Sequence, residues 1–345
     1  MSKEDTVRFP TIGKIRLALA LVVLATLLLS ACMPVATPPP APAAEEESPQ
    51  AAEAEAEPTA PPAEAPAAAE GETAFILLTP NDTQTLDPAV NYDFSGAPYL
   101  GPVYDSLVKS VGTDEANIVP DLAESWEVSD DGLTWTFNLR EGAQFHDGSP
   151  VNAEAVKYSF DRLLAMNTGG AVLFTSVDSV EAVDDLTVKF TLKEPFSGFL
   201  ASLTSIWGPL IVSPTSVKAH EKDGDWGQEW LAENDAGSGP YMLESWDRNE
   251  QMVLVRNPDY WGGWGDKYLD KIIVRFVPET TTQRLMMEKG DADAAVGMSN
   301  EDLDALMETT DIVVEEHPSM VIKEVRINTT KEPLDDVRVR QALAY

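Results

Sequence analysis

The side chains able to do chemistry are few and scattered through this 345-residue chain. His146, His220 and His317 share no ligand spacing, and each reads as a surface or turn residue rather than a metal ligand. Asp130-Asp131, Asp184-Asp185 and Glu315-Glu316 pair carboxylates, the residue type that acid–base hydrolysis requires. All three lie in turn-like contexts, where a solvated surface is the default. The phosphate-cradling G-x-x-x-x-G-K-[ST] loop, the G-x-S-x-G nucleophile elbow and the H-E-x-x-H metal helix are missing. Gly237-Ser238-Gly239 opens like a dinucleotide loop, yet Met242 stands where its third Gly belongs. Asp223-Gly224-Asp225 lacks the later Gly and the spacing of a calcium loop. No enzyme activity, no metal and no cofactor is therefore expected.

What the chain does carry is aromatic surface and one thiol. All eight Trp lie beyond residue 73. Trp126 and Trp135 fall on a hairpin pattern and read as core, whereas Trp207, Trp261 and Trp264 sit in Gly-containing loops, where a large ring is either a plug or a ligand platform. Cys32 is the only Cys, which excludes an internal disulfide and a Cys-based zinc cage. It follows a basic start (Lys3, Arg8, Lys14, Arg16) and the apolar run 17–29. That run is shorter than the ~20 residues a helix needs to cross a bilayer and fits the centre of a secretory signal. Leu29-Ser30-Ala31-Cys32 resembles the lipobox of bacterial lipoproteins. The resemblance implies lipidation at Cys32 and a signal peptide, 1–31, cut just before it. The alternative is an ordinary signal or N-terminal anchor with an incidental Cys. The protein is then expected to be exported and lipid-anchored to a cell membrane, facing the periplasm or the cell exterior.

Residues 33–72 are almost wholly Ala, Pro and Glu, with no Lys or Arg. Such a stretch cannot bury enough apolar surface to offset its chain entropy, so 32–73 reads as the lipid-anchored Cys and a disordered tether. The net charge of −34 sits mostly on the remainder. It argues against nucleic-acid binding, because phosphate contacts need clustered cations, and suits a dispersed, monomeric exported protein.

From Ala74 onward, short apolar runs separated by Gly, Pro, Asn and Asp predict alternating strands and helices, an α/β architecture. Strands are expected at 74–78, 124–128, 133–139, 185–192, 210–212, 241–246, 251–256, 271–277, 293–296 and 320–327. Within 133–139, Leu133, Trp135, Phe137 and Leu139 alternate with polar residues, one face core and one solvated. Helices are expected near 99–107, from an Asn152 N-cap to Met166, at 280–289 ended by Gly290, and at 301–307. Leu285 and Met286 are placed on the inner face of the third, and Leu303, Leu306 and Met307 together on the fourth. A last helix starting at Asp335 or Asp336 meets no capping signal, so the chain is expected to be part of a longer one.

Several stretches together resemble the family 5 extracellular solute-binding proteins, the peptide- and nickel-type receptors of ABC importers. They are Asp131-Gly132-Leu133-Thr134-Trp135-Thr136-Phe137 through Phe145-His146-Asp147-Gly148, then Val156-Lys157-Tyr158-Ser159-Phe160-Asp161-Arg162. Gly237-Ser238-Gly239-Pro240-Tyr241, Arg256-Asn257-Pro258-Asp259-Tyr260-Trp261 and Asp335-Asp336-Val337-Arg338-Val339-Arg340 follow in order. The resemblance implies a periplasmic-binding-protein-like (type II) fold of two lobes closing on a ligand. By that pattern 74–110 and 236–327 make the first lobe, 111–235 an inserted subdomain, and 328–345 the start of a second lobe largely absent from this chain. The implied function is capture of a small solute, foremost a dipeptide or oligopeptide, for delivery to an ABC permease and its ATPase. Ligand contact is implied for Tyr92, Asp93, Phe94 and Ser95, in the stretch after Leu86-Asp87-Pro88, and Trp207 is added as a loop platform. An extracellular hydrolase on the same scaffold and a surface receptor without transport are the competing readings.

Overall fold

The computed structural model describes residues 73–111, 114–309, 311–315 and 326–343. The signal peptide, Cys32, the tether, His317 and most of the strand expected at 320–327 lie outside them. Strand β1, Ala74–Thr79, is followed by a polar loop, a single 3-10 turn at Phe94–Gly96 and helix α1, Ala97–Val103. Two strands that sequence reading missed come next, β2 (Val108–Val111) and β3 (Asp114–Pro120), paired antiparallel. β2 is only four residues long and β3 runs from Asp114 to Pro120 through Glu115 and Asn117, so no clean apolar alternation marks either.

The expected hairpin is present as β4, Ala123–Val128, and β5, Thr134–Leu139. With β6 (Val177–Ala182) and β7 (Thr187–Leu192) it forms a four-stranded antiparallel sheet in the order β4-β5-β7-β6. Strand β6 escaped the sequence reading because only Val177 and Val180 point inward along it. Helix α2, Ala153–Met166, covers this sheet. It starts as expected, the Asn152 side chain accepting the Ala155 N–H at 2.9 Å. Val156, Phe160 and Leu163 then fall on its buried face at helical spacing.

The second sheet has the order β11-β1-β10-β9-β8, formed with β8 (Tyr241–Asp247), β9 (Gln251–Arg256), β10 (Lys271–Phe276) and β11 (Ala294–Ala295). β1 runs parallel to both β10 and β11, while β8, β9 and β10 are antiparallel neighbours. One face packs Met252, Leu254, Val274 and Phe276 against Tyr99, Leu100 and Val103 of α1. On the other, Leu78 and Val277 meet Met286 of helix α4, Thr280–Lys289. Helix α3, Pro214–His220, contributes Val217 to the first of these clusters, together with Leu210, Val212 and Leu231.

Three expectations need correction. Residues 210–212 are buried but join no sheet; the Ile211 N–H donates to the Asp105 carbonyl and the Val212 N–H to Ser159 Oγ of α2. An apolar run with those side partners needs no ladder. Leu285 is 45% exposed while Met286 is buried, and in helix α5, Asn300–Met307, Met307 is 51% exposed while Leu306 is buried. A last helix, α6, spans Val337–Leu343.

The core under the four-stranded sheet is organised by rings. Phe190 lies 5.6 Å from Phe137, 4.8 Å from Phe160 and 5.5 Å from Phe199, centroid to centroid. It therefore joins β5, α2 and the one-turn helix Phe199–Ser202. Phe190→Ala is expected to lower unfolding stability by about 3–5 kcal/mol, measured by urea titration; a loss below about 1 kcal/mol would mean that the site refills.

Candidate functional site

The loop after β1 is built from short polar side chains that bond back to their own backbone. Thr85 Oγ1 accepts the Asp87 N–H at 3.1 Å, and Asp87 Oδ1 accepts the Ala89 N–H at 3.0 Å. The Asp87 carbonyl takes the N–H groups of Val90 and Asn91 at 3.1 and 2.8 Å, a tight turn that Pro88 favours by fixing its own φ. Asn91 is 1% exposed and reaches both ways: its amide donates to Thr83 Oγ1 (2.9 Å) and to the Thr85 carbonyl (2.8 Å), and its Oδ1 accepts the Asp93 N–H at 3.3 Å.

This loop is pinned from α2. Arg162 and Asp87 are both fully buried, and Arg162 Nη1 donates to Asp87 Oδ1 at 2.7 Å while Nη2 donates to Oδ2. Arg162 Nε donates to the Trp226 carbonyl at 2.8 Å. Sequence reading quoted both partners inside motifs but gave neither a role. Nothing in a single sequence pairs residues 75 positions apart.

The expected contact residues are brought together. Trp207 stands between Tyr92 and Phe94, at 5.5 and 5.2 Å, edge-on to both. Its Nε1–H donates to the Asp93 carbonyl at 3.1 Å. The Asp93 carboxylate is engaged inside the loop, accepting the Ser95 hydroxyl and the Gly96 N–H. It caps the 3-10 turn and is not a free charge. Tyr92 and Phe94 remain 53% and 65% exposed. Behind Trp207 the backbones touch: a Cβ at Gly170 would lie 2.3 Å from the Trp207 carbonyl oxygen, so only Gly fits.

Of the other loop tryptophans, both are plugs. Trp264 Nε1 donates to the Asn257 carbonyl and Trp261 Nε1 to Asp105, each at 2.8 Å. The Arg140 guanidinium lies 4.0 Å over the Trp261 ring. Asp105 also accepts the Ser238 hydroxyl at 2.8 Å and lines a cavity of about 280 Å³ with Asp121, Lys109 and Tyr260. Burial, reinforced by the Asp121 charge, pushes its carboxyl up to about 6 despite the Trp261 and Ser238 donors.

His146 lies in a turn, one of the two settings expected of it, but not at the surface, for its side chain is only 7% exposed. Its Nδ1 lies 2.7 Å from Asp235 Oδ1 and its Nε2 lies 3.0 Å from the Gly239 carbonyl. A carboxylate and a carbonyl can only accept, so the ring that satisfies both is the imidazolium. Burial opposes that charge, but the Asp235 carboxylate and the Gly239 carbonyl raise its pKa above 6.5. The neighbouring Asp147 gathers Ser149, Ser213 and Ser216; burial raises its pKa, and those hydroxyl donors outweigh it and hold the carboxyl down to about 2. Among the described residues no group of His, Cys, Asp and Glu could hold a metal ion, and no helix is long and apolar enough to cross a membrane.

His146 and Asp105 act in the same direction with pH. Each has a raised pKa in the fold, so its stabilising contribution is complete below the unfolded values of 6.5 and 3.8. That of Asp105 is lost as pH rises through about 6, and that of His146 at a higher pH, above 6.5. Thermal melts are expected to show a Tm that declines as pH rises above 6.5. His146→Gln should remove that decline, and an unchanged slope in the variant would contradict the imidazolium.

The chain resembles known proteins over most of this described region. The family description "Bacterial extracellular solute-binding proteins, family 5 Middle" matches residues 117–345. The probable D,D-dipeptide-binding periplasmic protein DdpA of Escherichia coli K12 is 40% identical over 267 residues, 76% of this chain and 51% of that protein. The glutathione-binding protein GsiB of Pectobacterium atrosepticum is 35% identical over 228 residues, 65% and 42% respectively. Among solved structures, the ABC transporter-associated periplasmic binding protein DppA of Helicobacter pylori, in complex with the peptide STSA, superposes with a TM-score of 0.63 at 30% identity, covering 70% of this chain and 50% of that one. The chain thus spans about half the length of the curated relatives it matches. With two thirds of its residues inside the matched region and the α/β architecture of its structural neighbours, it belongs to the family 5 bacterial extracellular solute-binding proteins.

Proposed function

We propose that this chain forms part of a lipid-anchored receptor that captures a small peptide outside the cytoplasmic membrane and delivers it to an ABC permease and ATPase. One observation carries the reading: Tyr92 and Phe94 stand more than half exposed on a loop tied down at Asp87, Asn91 and Asp93, with Trp207 edge-on to both rings and bonded to the Asp93 carbonyl. Large rings held rigid in water are costly to leave bare and inexpensive to bind with, since little motion remains to be lost. Tyr92, Asp93, Phe94, Ser95 and Trp207 are the contact face in this proposal, the first three offering ring edges and backbone groups to an extended solute.

The domain plan belongs to the same proposal. Residues 74–110 and 236–327 serve as the first lobe and 111–235 as an inserted subdomain, with a second lobe beginning near 328 and closing over the solute by hinge motion. No bond is made or broken, and the receptor works as a monomer. The peptide-type solute is favoured by the names of the relatives above, which bind D,D-dipeptides and glutathione.

D-alanyl-D-alanine, glutathione and mixed dipeptides are expected to raise the Tm, and Trp207→Ala to weaken whichever binds by about tenfold or more, near 1.4 kcal/mol. Absence of any shift with peptides, alongside a shift with a nickel–histidine complex or a sugar acid, would reassign the solute. For the anchor, Cys32→Ser is expected to abolish palmitate incorporation and release the protein from membranes; a variant that stays labelled would refute lipidation there.

A further inference from the structure

We propose that Arg162 is a positioning residue for solute capture: from α2 it sets the orientation of the Tyr92–Phe94–Trp207 face without touching solute. The inference rests on the reading of that face given above. Its physical basis is a continuous hydrogen-bonded path. Arg162 holds both carboxylate oxygens of Asp87, and the Asp87 carbonyl holds the N–H of Asn91. Asn91 Oδ1 holds the N–H of Asp93, and the Asp93 carbonyl receives the Trp207 indole. Every member of the path up to Asn91 is buried, so water cannot substitute for a missing partner.

What Arg162 supplies is direction. Two apolar side chains could fill the same space, and replacing a buried ion pair by apolar residues is often neutral or stabilising. They could not fix a rotation. The guanidinium is planar, and three of its nitrogens are committed: Nη1 and Nη2 to Asp87, Nε to the carbonyl of Trp226. Trp226 is itself held at φ 58°, a left-handed conformation rare for a bulky residue, so the acceptor on that side is fixed too. With both edges of the fork anchored, the Asp87 carboxylate has one allowed plane, and the turn that follows inherits it. A Lys could keep the charge but not the plane.

The test separates orientation from stability. The full chain is labelled with 5-fluorotryptophan, and the Trp207 resonance is identified by its loss in Trp207→Phe. Three variants are compared by fluorine NMR and urea unfolding: Arg162→Lys, Arg162→Met, and Arg162→Met combined with Asp87→Leu. The double variant is expected to recover the unfolding midpoint that Arg162→Met loses, while its Trp207 resonance stays displaced or broadened. Arg162→Lys is expected to fold and to displace the same resonance. A wild-type Trp207 resonance in Arg162→Lys, or in a double variant of recovered stability, would overturn the proposal. These signals are read without solute, so they decide the matter even if no peptide binds. Where D-alanyl-D-alanine or glutathione raises the wild-type Tm, the double variant should bind it at least tenfold more weakly, and equal affinity would overturn the proposal.

Discussion

A carboxylate and a guanidinium, Asp87 and Arg162, meet where neither can reach water, and the rest of the architecture is arranged around that meeting. Each charge alone would be strongly destabilising in that position, so removing one partner costs far more than replacing both. The pair joins the loop that leaves the five-stranded sheet to the helix that covers the four-stranded one. It thereby couples two cores whose apolar residues otherwise form separate clusters. Its geometry also bears on where the exposed rings stand, because Ala89, Val90, Asn91, Asp93 and Gly96 are bonded in a path that traces back to it.

A second polar junction works beside it. The turn carrying His146, Asp147 and Gly148 docks on the 235–239 loop through the His146 backbone as well as its ring. Asp147 ties the same turn to Ser213, the N-cap of α3. Close packing at Gly237, where a Cβ would lie 1.9 Å from the Val103 carbonyl oxygen, leaves this loop no alternative path. The two junctions differ in chemistry. One is a buried ion pair; the other depends on a proton on an imidazole. Protonation of His146 therefore bears on the second junction.

Local features were legible in the sequence because local physics determines them. The hairpin from β4 to β5 announces itself through alternation and an Asp-Gly turn, and α2 through its Asn152 cap and apolar spacing. Residues 92–95 were reached through the family resemblance and Trp207 as a large ring in a loop; that Trp207 packs on Tyr92 and Phe94 is supplied by the fold. Long-range partners were not legible. Arg162 stands in the sequence only as a charged residue of an amphipathic helix, and the fold supplies Asp87 to it. His146 follows Phe145 at a turn, where exposure is the reasonable expectation, and its burial is created by a loop some ninety positions later, the separation from Asp235 being 89. Met307 and Leu285 fail in the opposite sense: helical spacing marks them as inward, but the helices are packed on one narrow stripe.

The central claim is that the rigid face at residues 92–95 and Trp207 is where solute is held. A structure of the protein purified from its own cells together with the solute it carries tests this most directly. The account predicts solute within hydrogen-bonding distance of the 92–95 backbone and packed on the Trp207 trio, with the Asp87–Arg162 pair intact. Solute bound elsewhere with those rings still facing water would contradict it.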